Sequence, residues 1–348
     1  MSSGMRVLIL ASAVGRFGEG STGGVSRYAA AMADALDTLG VGSELLVPEG
    51  SGVPEGIPAR EIPGSFQLSS ATADRAEHPV PAHSVLSGML ETAWAARSEY
   101  DRIVNLNHDY LPVFSTQFFG GKLFHIPNLV SSDRATDALI SRVYSTHPQS
   151  FAAISEFQRE RLGLAGALVL LFGMQPSSPG QTGQDYLCWS GRITPEKGLE
   201  AAAELARRSG LRLVVAGHVE NETYFGPIKA EYGNTIDYRG FLKLADLKQV
   251  ISGARAMLQT QNWEEALGLA TIEAVSVGTP VIAYDRGANR EIVRVGVNGY
   301  VVRHGDVEAA LQAVQRAGEI QRDALIADFD ARFSVQAFAQ RLAEWLKL

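Results

Sequence analysis

Short runs of aliphatic and β-branched residues recur along this chain, each followed by a stretch of helical period, and this alternation leaves few folds open. Residues 6–11, R-V-L-I-L-A, form a continuous run of the kind found in a parallel strand covered on both faces. A glycine-rich loop follows. Then Val25, Tyr28, Ala29, Met32 and Leu36 recur at helical spacing until Gly40 stops the helix. Further strands are expected at 44–47, 102–106, 122–125, 151–154 and 168–171, with helices at 85–97 and 133–143. Residues 48–82 hold Pro, Gly and Ser without period and read as a long excursion with one short strand at 59–62; loops of that length are often functional.

Residues 175–184 have linker composition. Beyond them the alternation resumes, with strands at 186–190, 211–216, 235–238, 256–259 and 281–284. Helices are expected at 196–208, 221–232 and 244–253 and from residues 289 and 307. The pattern is α/β: two doubly wound, Rossmann-like domains, 1–174 and 185–330, with 331–348 a helix returning to the first. Doubly wound sheets bind ligands outside the carboxyl ends of their strands, so a central cleft between the domains is the expected site.

Composition narrows the function. A chain of 348 residues, 46% hydrophobic, exceeds what one core usually organises. Cys188 is alone, which excludes internal disulfides and fits a reducing, cytoplasmic setting. The apolar run 7–14 is too short to span a membrane and lacks the flank of a signal peptide; Met5 is a plausible native start. The formal charge of −7 argues against nucleic acid and anionic lipid as partners. A homo-oligomer remains open.

Several stretches carry the candidate chemistry. In N-W-E-E-A-L-G-L-A-T-I-E-A, residues 262–274, Glu265 and Glu273 frame what reads as a helix start. On one helix their backbones would stand roughly 12 Å apart with side chains within about 80° of each other. That suits two clamps on one long ligand better than the couple about 5 Å apart in a retaining glycosidase. In G-R-I-T-P-E-K-G, residues 191–198, Arg192 and Lys197 lie between a strand end and a helix, where a planar fork and a point charge suit a diphosphate; the alternative is ordinary surface charge. Gly18, Gly20 and Gly23 match G-x-G-x-x-G, the basis of a rival reading as an NAD-dependent oxidoreductase, although residues 12–17 separate the first glycine from its strand. The other reading gives Thr22, Gly23 and Gly24 amides that approach an anion at a helix start. His125 ends a strand and should lie at the sheet mouth. After the strand at 102–106, His108, Asp109 and Tyr110 either form an ordinary strand-to-helix turn or face the cleft, where Asp109 suits a guanidine-like edge and Tyr110 a planar ring; Arg27 suits an anionic acceptor or caps local acids. Asp328 and Asp330 form the D-x-D spacing but read as surface acids, and no metal site is evident.

Together, residues 191–198, E-A-L-G-L-A-T-I-E at 265–273 and G-T-P-V-I-A-Y-D-R-G-A-N-R-E-I-V at 278–293 resemble glycosyltransferase family 4, GT-B-fold enzymes that transfer a sugar from a nucleotide donor with retention. N-L-N-H-D-Y-L-P-V-F at 105–114 and F-H-I-P-N at 124–128 extend the likeness toward the UDP-glucose:tetrahydrobiopterin glucosyltransferases. The resemblance implies a UDP-sugar co-substrate, no separate cofactor, and a small soluble acceptor such as a reduced pterin. It places Glu265 on the sugar hydroxyls, Glu273 on the ribose, and Arg192 and Lys197 on the diphosphate with the amides near Gly268 and Leu269. His125 would bind near the sugar 6-hydroxyl. Gly217 and Gly240, Phe241 and Leu242 would border the base, and Thr22, Gly23 and Gly24 would close over the phosphates. Two departures bear on donor choice: Ala266-Leu267 in place of the common Gly-Phe, and Gly287-Ala288-Asn289 in place of a double glycine.

Overall fold

A computed structural model describes residues 4–18, 23–66, 83–131, 133–177 and 185–348. The chain divides into two compact units, one of Met1–Gly173 with Val335–Leu348, the other of Met174–Ser334. Each unit is a parallel sheet with helices, and the fold class is α/β with two Rossmann-like domains.

In unit 1 the strands are β1 (Arg6–Leu10), β2 (Gly42–Pro48), β3 (Ala59–Ile62), β4 (Arg102–Asn105) and β5 (Leu123–His125), in the order β3-β2-β1-β4-β5. All pairs are parallel. Val7, Leu8, Ile9 and Leu10 of central β1 are buried, which is why the run shows no polar alternation. The helices are α1 (Gly23–Thr38), α2 (Val85–Ala95), α3 (Tyr110–Ser115), α4 (Arg134–Thr146) and α5 (Glu156–Arg161). The expected strands at 151–154 and 168–171 shrink to β6 (Ala152–Ala153) and β7 (Leu168–Val169), which pair with each other. Ser155 ends β6 early because its hydroxyl caps α5 through Gln158 N at 3.0 Å. Among the described residues, only an isolated bridge, His125 to Phe151, links this pair to the main sheet.

Unit 2 has β8 (Tyr186–Ser190), β9 (Arg212–Ala216), β10 (Ile236–Tyr238), β11 (Ala256–Gln259), β12 (Val281–Tyr284) and β13 (Gly299–Val302), ordered β10-β9-β8-β11-β12-β13. Its helices are α6 (Leu199–Ser209), α7 (Glu222–Tyr232), α8 (Leu244–Gly253), α9 (Leu269–Ser276), α10 (Asn289–Ile292), α11 (Val307–Arg316) and α12 (Arg322–Phe333). The last helix, α13 (Val335–Leu346), belongs to unit 1, where Phe338 meets Tyr28 edge-on at 5.4 Å and Arg341 donates to the Leu171 carbonyl at 3.0 Å.

Strand order reverses direction between β8 and β11 in unit 2 and between β1 and β4 in unit 1. Loops at the carboxyl ends of those strands diverge and leave a crevice, so these two places are where each sheet can take a ligand. Asp328 corrects the sequence expectation. It is 6% exposed, not a surface acid, because Arg294, Asn298 and Arg332 close on it.

Candidate functional site

At the unit 2 switch point, the loop after β8 runs through Gly191–Thr194 into a tight turn at Pro195–Lys197 and then α6. The loop after β11 lies against it. Asn262 N donates to Glu196 O at 2.8 Å, Asn262 Nδ2 to Pro195 O at 2.9 Å, and Thr260 Oγ1 to Gly198 O at 2.8 Å. These bonds bring Lys197 Nζ onto Glu265 Oε1 as an ion pair, with the ammonium 5.2 Å from the Trp263 ring centroid. Burial pushes the Glu265 carboxyl up, but the Lys197 charge and hydrogen bond, with the more distant Arg192 charge, hold it below its ordinary range. Arg192 gives Nη1 to Glu220 Oε2 at 2.7 Å and stands 3.6 Å from Glu196 Oε1.

Glu265 and Glu273 do not share one helix. Gly268 takes the left-handed conformation at φ 83, a turn that a side chain would strain, and α9 starts only at Leu269. The 12 Å, 80° estimate, which assumed continuous helix, therefore does not apply to the pair. Glu265 sits on the loop, while Glu273 is buried within α9. On the far side of β8, Gly217 N donates to Gly240 O at 2.8 Å and Tyr238 Oη to Gly217 O at 3.0 Å. Beside them Phe241 is exposed and Leu242 half-buried.

The unit 1 switch point is built from neutral groups. Asn107 receives Ala13 N at 2.9 Å and donates to Ala11 O at 2.8 Å, tying the loop after β1 to the end of β4. Asn105 Nδ2 donates to Asn107 O at 2.8 Å and lies 3.3 Å from His125 Nδ1. His125 Nε2 lies 2.8 Å from Thr116 Oγ1, which donates to Val113 O, and the ring stacks on Phe151 at 4.9 Å. This network assigns the Nε2–H tautomer. His125 does end β5, as expected, but it is 1% exposed rather than open at the mouth, because Thr116 and Phe151 lie against it. Burial, with a lesser contribution from His147, pushes its pKa down to about 3.

His108 has a buried side chain whose Nε2 faces Asp137 Oδ1 at 3.7 Å, and neither ring nitrogen has a hydrogen-bond partner. Asp137 Oδ2 accepts from Ser131 Oγ at 2.6 Å. Asp109 uses one carboxylate oxygen to cap α3 through Leu111 N at 3.0 Å. Tyr110 is exposed and stacks on Phe114 at 6.2 Å with planes 15° apart. Gly23 and Gly24 open α1, and Arg27 is half-buried on it. Thr22 and Gly20 lie outside the described residues, as does most of the expected linker.

Several members of these networks escape sequence reasoning. Trp263 stood within the quoted motif and Asn105 and Asn107 within N-L-N-H, so a signal existed. Glu220, Thr116 and Asp137 carry none, because only the fold brings them to Arg192, His125 and His108. Among the described residues, no three His, Cys, Asp or Glu group to hold a metal ion, and no helix is long and apolar enough to cross a membrane.

Residues 174–340 match the family model for Glycosyl transferases group 1. Over its whole length the chain also superimposes on HepE of Anabaena, solved with UDP-glucose, at a TM-score of 0.72 with 16% identity, covering 99% of both chains. This is the GT-B fold. Among curated relatives, the chain is 26% identical over 180 residues to the putative glycosyltransferase YtcC of Bacillus subtilis (strain 168), covering 48% of this chain and 40% of that protein. It is also 26% identical over 338 residues to the D-inositol 3-phosphate glycosyltransferase of Mycolicibacterium smegmatis (strain ATCC 700084 / mc(2)155), covering 88% and 76%. The chain thus spans well under two thirds of the length of YtcC.

Proposed function

We propose that this protein is a retaining hexosyltransferase that moves glucose from UDP-glucose to a small soluble acceptor, with a reduced pterin as the acceptor class to try first. The observation that carries the reading is the Lys197–Glu265 pair at the unit 2 switch point, with Arg192 on the same loop. A diphosphate draws Lys197 toward itself, and the released Glu265 carboxylate accepts from the sugar hydroxyls. Arg192, Lys197 and the amides at the start of α9 meet the charge that develops on the departing phosphate. The acceptor oxygen bonds to the anomeric carbon on the face that the phosphate leaves. As the carbon–phosphate-oxygen bond breaks, the acceptor proton passes to that oxygen, giving a glucoside and UDP.

Glu273 is assigned to the ribose, Gly217 and Gly240 to Leu242 to the base, and Gly23 and Gly24 with Thr22 to the phosphates. His125 is assigned to the sugar 6-hydroxyl as a neutral imidazole, which requires Thr116 or Asn105 to yield a ring nitrogen. The acceptor side is assigned to His108, Asp109, Tyr110 and Arg27 in unit 1. The exposed Tyr110 ring suits a planar acceptor, while His108, buried against Asp137, must be uncovered before it can meet one. UDP-glucose as donor is supported by the HepE complex, and a small polar acceptor by the D-inositol 3-phosphate enzyme.

The test is a matrix of UDP- and GDP-sugars against pterins, phenols and sugars, read by product mass, with NMR of the product's anomeric proton. Transfer from UDP-glucose with retained configuration is expected. An inverted product overturns the retaining mechanism. Absence of transfer together with NADH binding overturns the transferase reading in favour of a dinucleotide enzyme.

A further inference from the structure

Asp328 of α12 is buried, and both its oxygens are satisfied: Oδ1 by Arg294 Nη1 at 2.7 Å, Oδ2 by Asn298 Nδ2 at 2.8 Å and Arg332 Nη1 at 3.1 Å. Removing one partner of such a buried ionic cluster leaves an uncompensated charge. Two of these donors also reach a second target. Arg332 donates to Ile292 O at 3.1 Å and to Glu291 O, and Asn298 Nδ2 reaches Ile292 O at 3.1 Å. Those carbonyls are the terminal acceptors of α10, a helix too short to satisfy them itself.

The opposite end of α10 rests on the candidate site. Ala288 N donates to Glu265 O at 3.0 Å, and Gly287 lies so close that a Cβ there would stand 2.2 Å from Glu265 O and 2.4 Å from Glu265 N. Asn289 Nδ2 pins the same segment to Tyr284 O of β12 at 2.8 Å. A continuous chain of contacts therefore runs from Asp328 through α10 to the backbone of Glu265, whose carboxylate holds Lys197. Arg332 also stands just before Ser334, the last residue of unit 2.

We propose that Asp328 is a positioning residue for Glu265: by clamping the carbonyl end of α10 it fixes, through Gly287 and Ala288, the backbone from which Glu265 reaches Lys197. The use of that position in sugar transfer rests on the function proposed above. A surface acid or a general core stabiliser would not act selectively on residues 263–269.

Hydrogen exchange of Asp328→Asn against wild type tests this. Peptides covering 286–293 and 263–269 should exchange about tenfold faster, with β8 and β9 unchanged. In turnover, Asp328→Asn should raise the donor KM more than it lowers kcat. Added to Glu265→Gln it should change the donor KM no further, while the two losses in Tm add. Should Asp328→Asn fail to fold, Arg294→Gln removes the most exposed partner and should give the same pattern more weakly. Faster exchange confined to α12, with 263–269 unchanged, overturns the proposal. Because exchange needs no substrate, a wild type that transfers no sugar would sink the transferase reading alone.

Discussion

At the switch point of unit 2, between β8 and β11, the loops pair Lys197 with Glu265 and set Arg192 against Glu220. At the corresponding place in unit 1, between β1 and β4, the loops are tied by Asn105 and Asn107, with neutral His125 beside them. The two sheets share one winding scheme and differ in what fills the crevice. Charges that hold each other can change partners when an anion arrives, which is the role the proposed function gives the unit 2 pair. Amides that already bond backbone groups have nothing to release; they fix loop positions at little electrostatic cost. In unit 1, His108 departs from this pattern, buried beside Asp137 without a hydrogen bond at either ring nitrogen.

Lys197→Ala should break the unit 2 side most severely, lowering turnover by about 10²-fold or more, on the scale of a lost electrostatic donor. Steady-state kinetics with UDP-glucose reads it. On the unit 1 side, Asn107→Ala leaves Ala13 N and Ala11 O buried without partners and should cost roughly 1–3 kcal/mol of stability in denaturant unfolding, with the donor KM unchanged.

A smaller effect separates the units by pH. The folded His125 protonates near 3, well below its ordinary value of 6.5, so below pH 6.5 the unfolded chain binds a proton that the folded one refuses. Stability is then lost as pH falls from 6.5 toward 3, at about 1.4 kcal/mol per pH unit from this group. His125→Gln should flatten that slope in unfolding measured from pH 6.5 to 5. Glu265, also held low, contributes in the same direction only below its ordinary 4.5. The smallest effect has the opposite sign: Glu220→Gln releases Arg192 from a part-exposed pair and should tighten UDP binding about two- to threefold.

Much of the architecture was legible because buried parallel strands need unbroken apolar runs, as in the aliphatic Val7–Leu10. The helix stop at Gly40 was legible because glycine takes the left-handed turn after a helix without strain. The start of α9 was misread because E-A-L-G-L keeps helical composition while Gly268 turns left-handed, a choice made by the neighbouring loop. Asp328 read as polar surface because its partners Arg294 and Asn298 come from another segment. The motif at 191–198 named its cations, but the fact that Lys197 is paired and Arg192 shared between two acids belongs to tertiary structure alone.

Titration calorimetry of UDP into wild type and Lys197→Ala, with NADH as the control, tests most directly whether the unit 2 crevice is a nucleotide-diphosphate site. UDP should bind wild type at a single site, bind Lys197→Ala at least about tenfold more weakly, a loss of about 1.4 kcal/mol, and leave NADH without heat. Equal UDP affinity in the two proteins, or NADH binding to wild type that UDP does not displace, would contradict it.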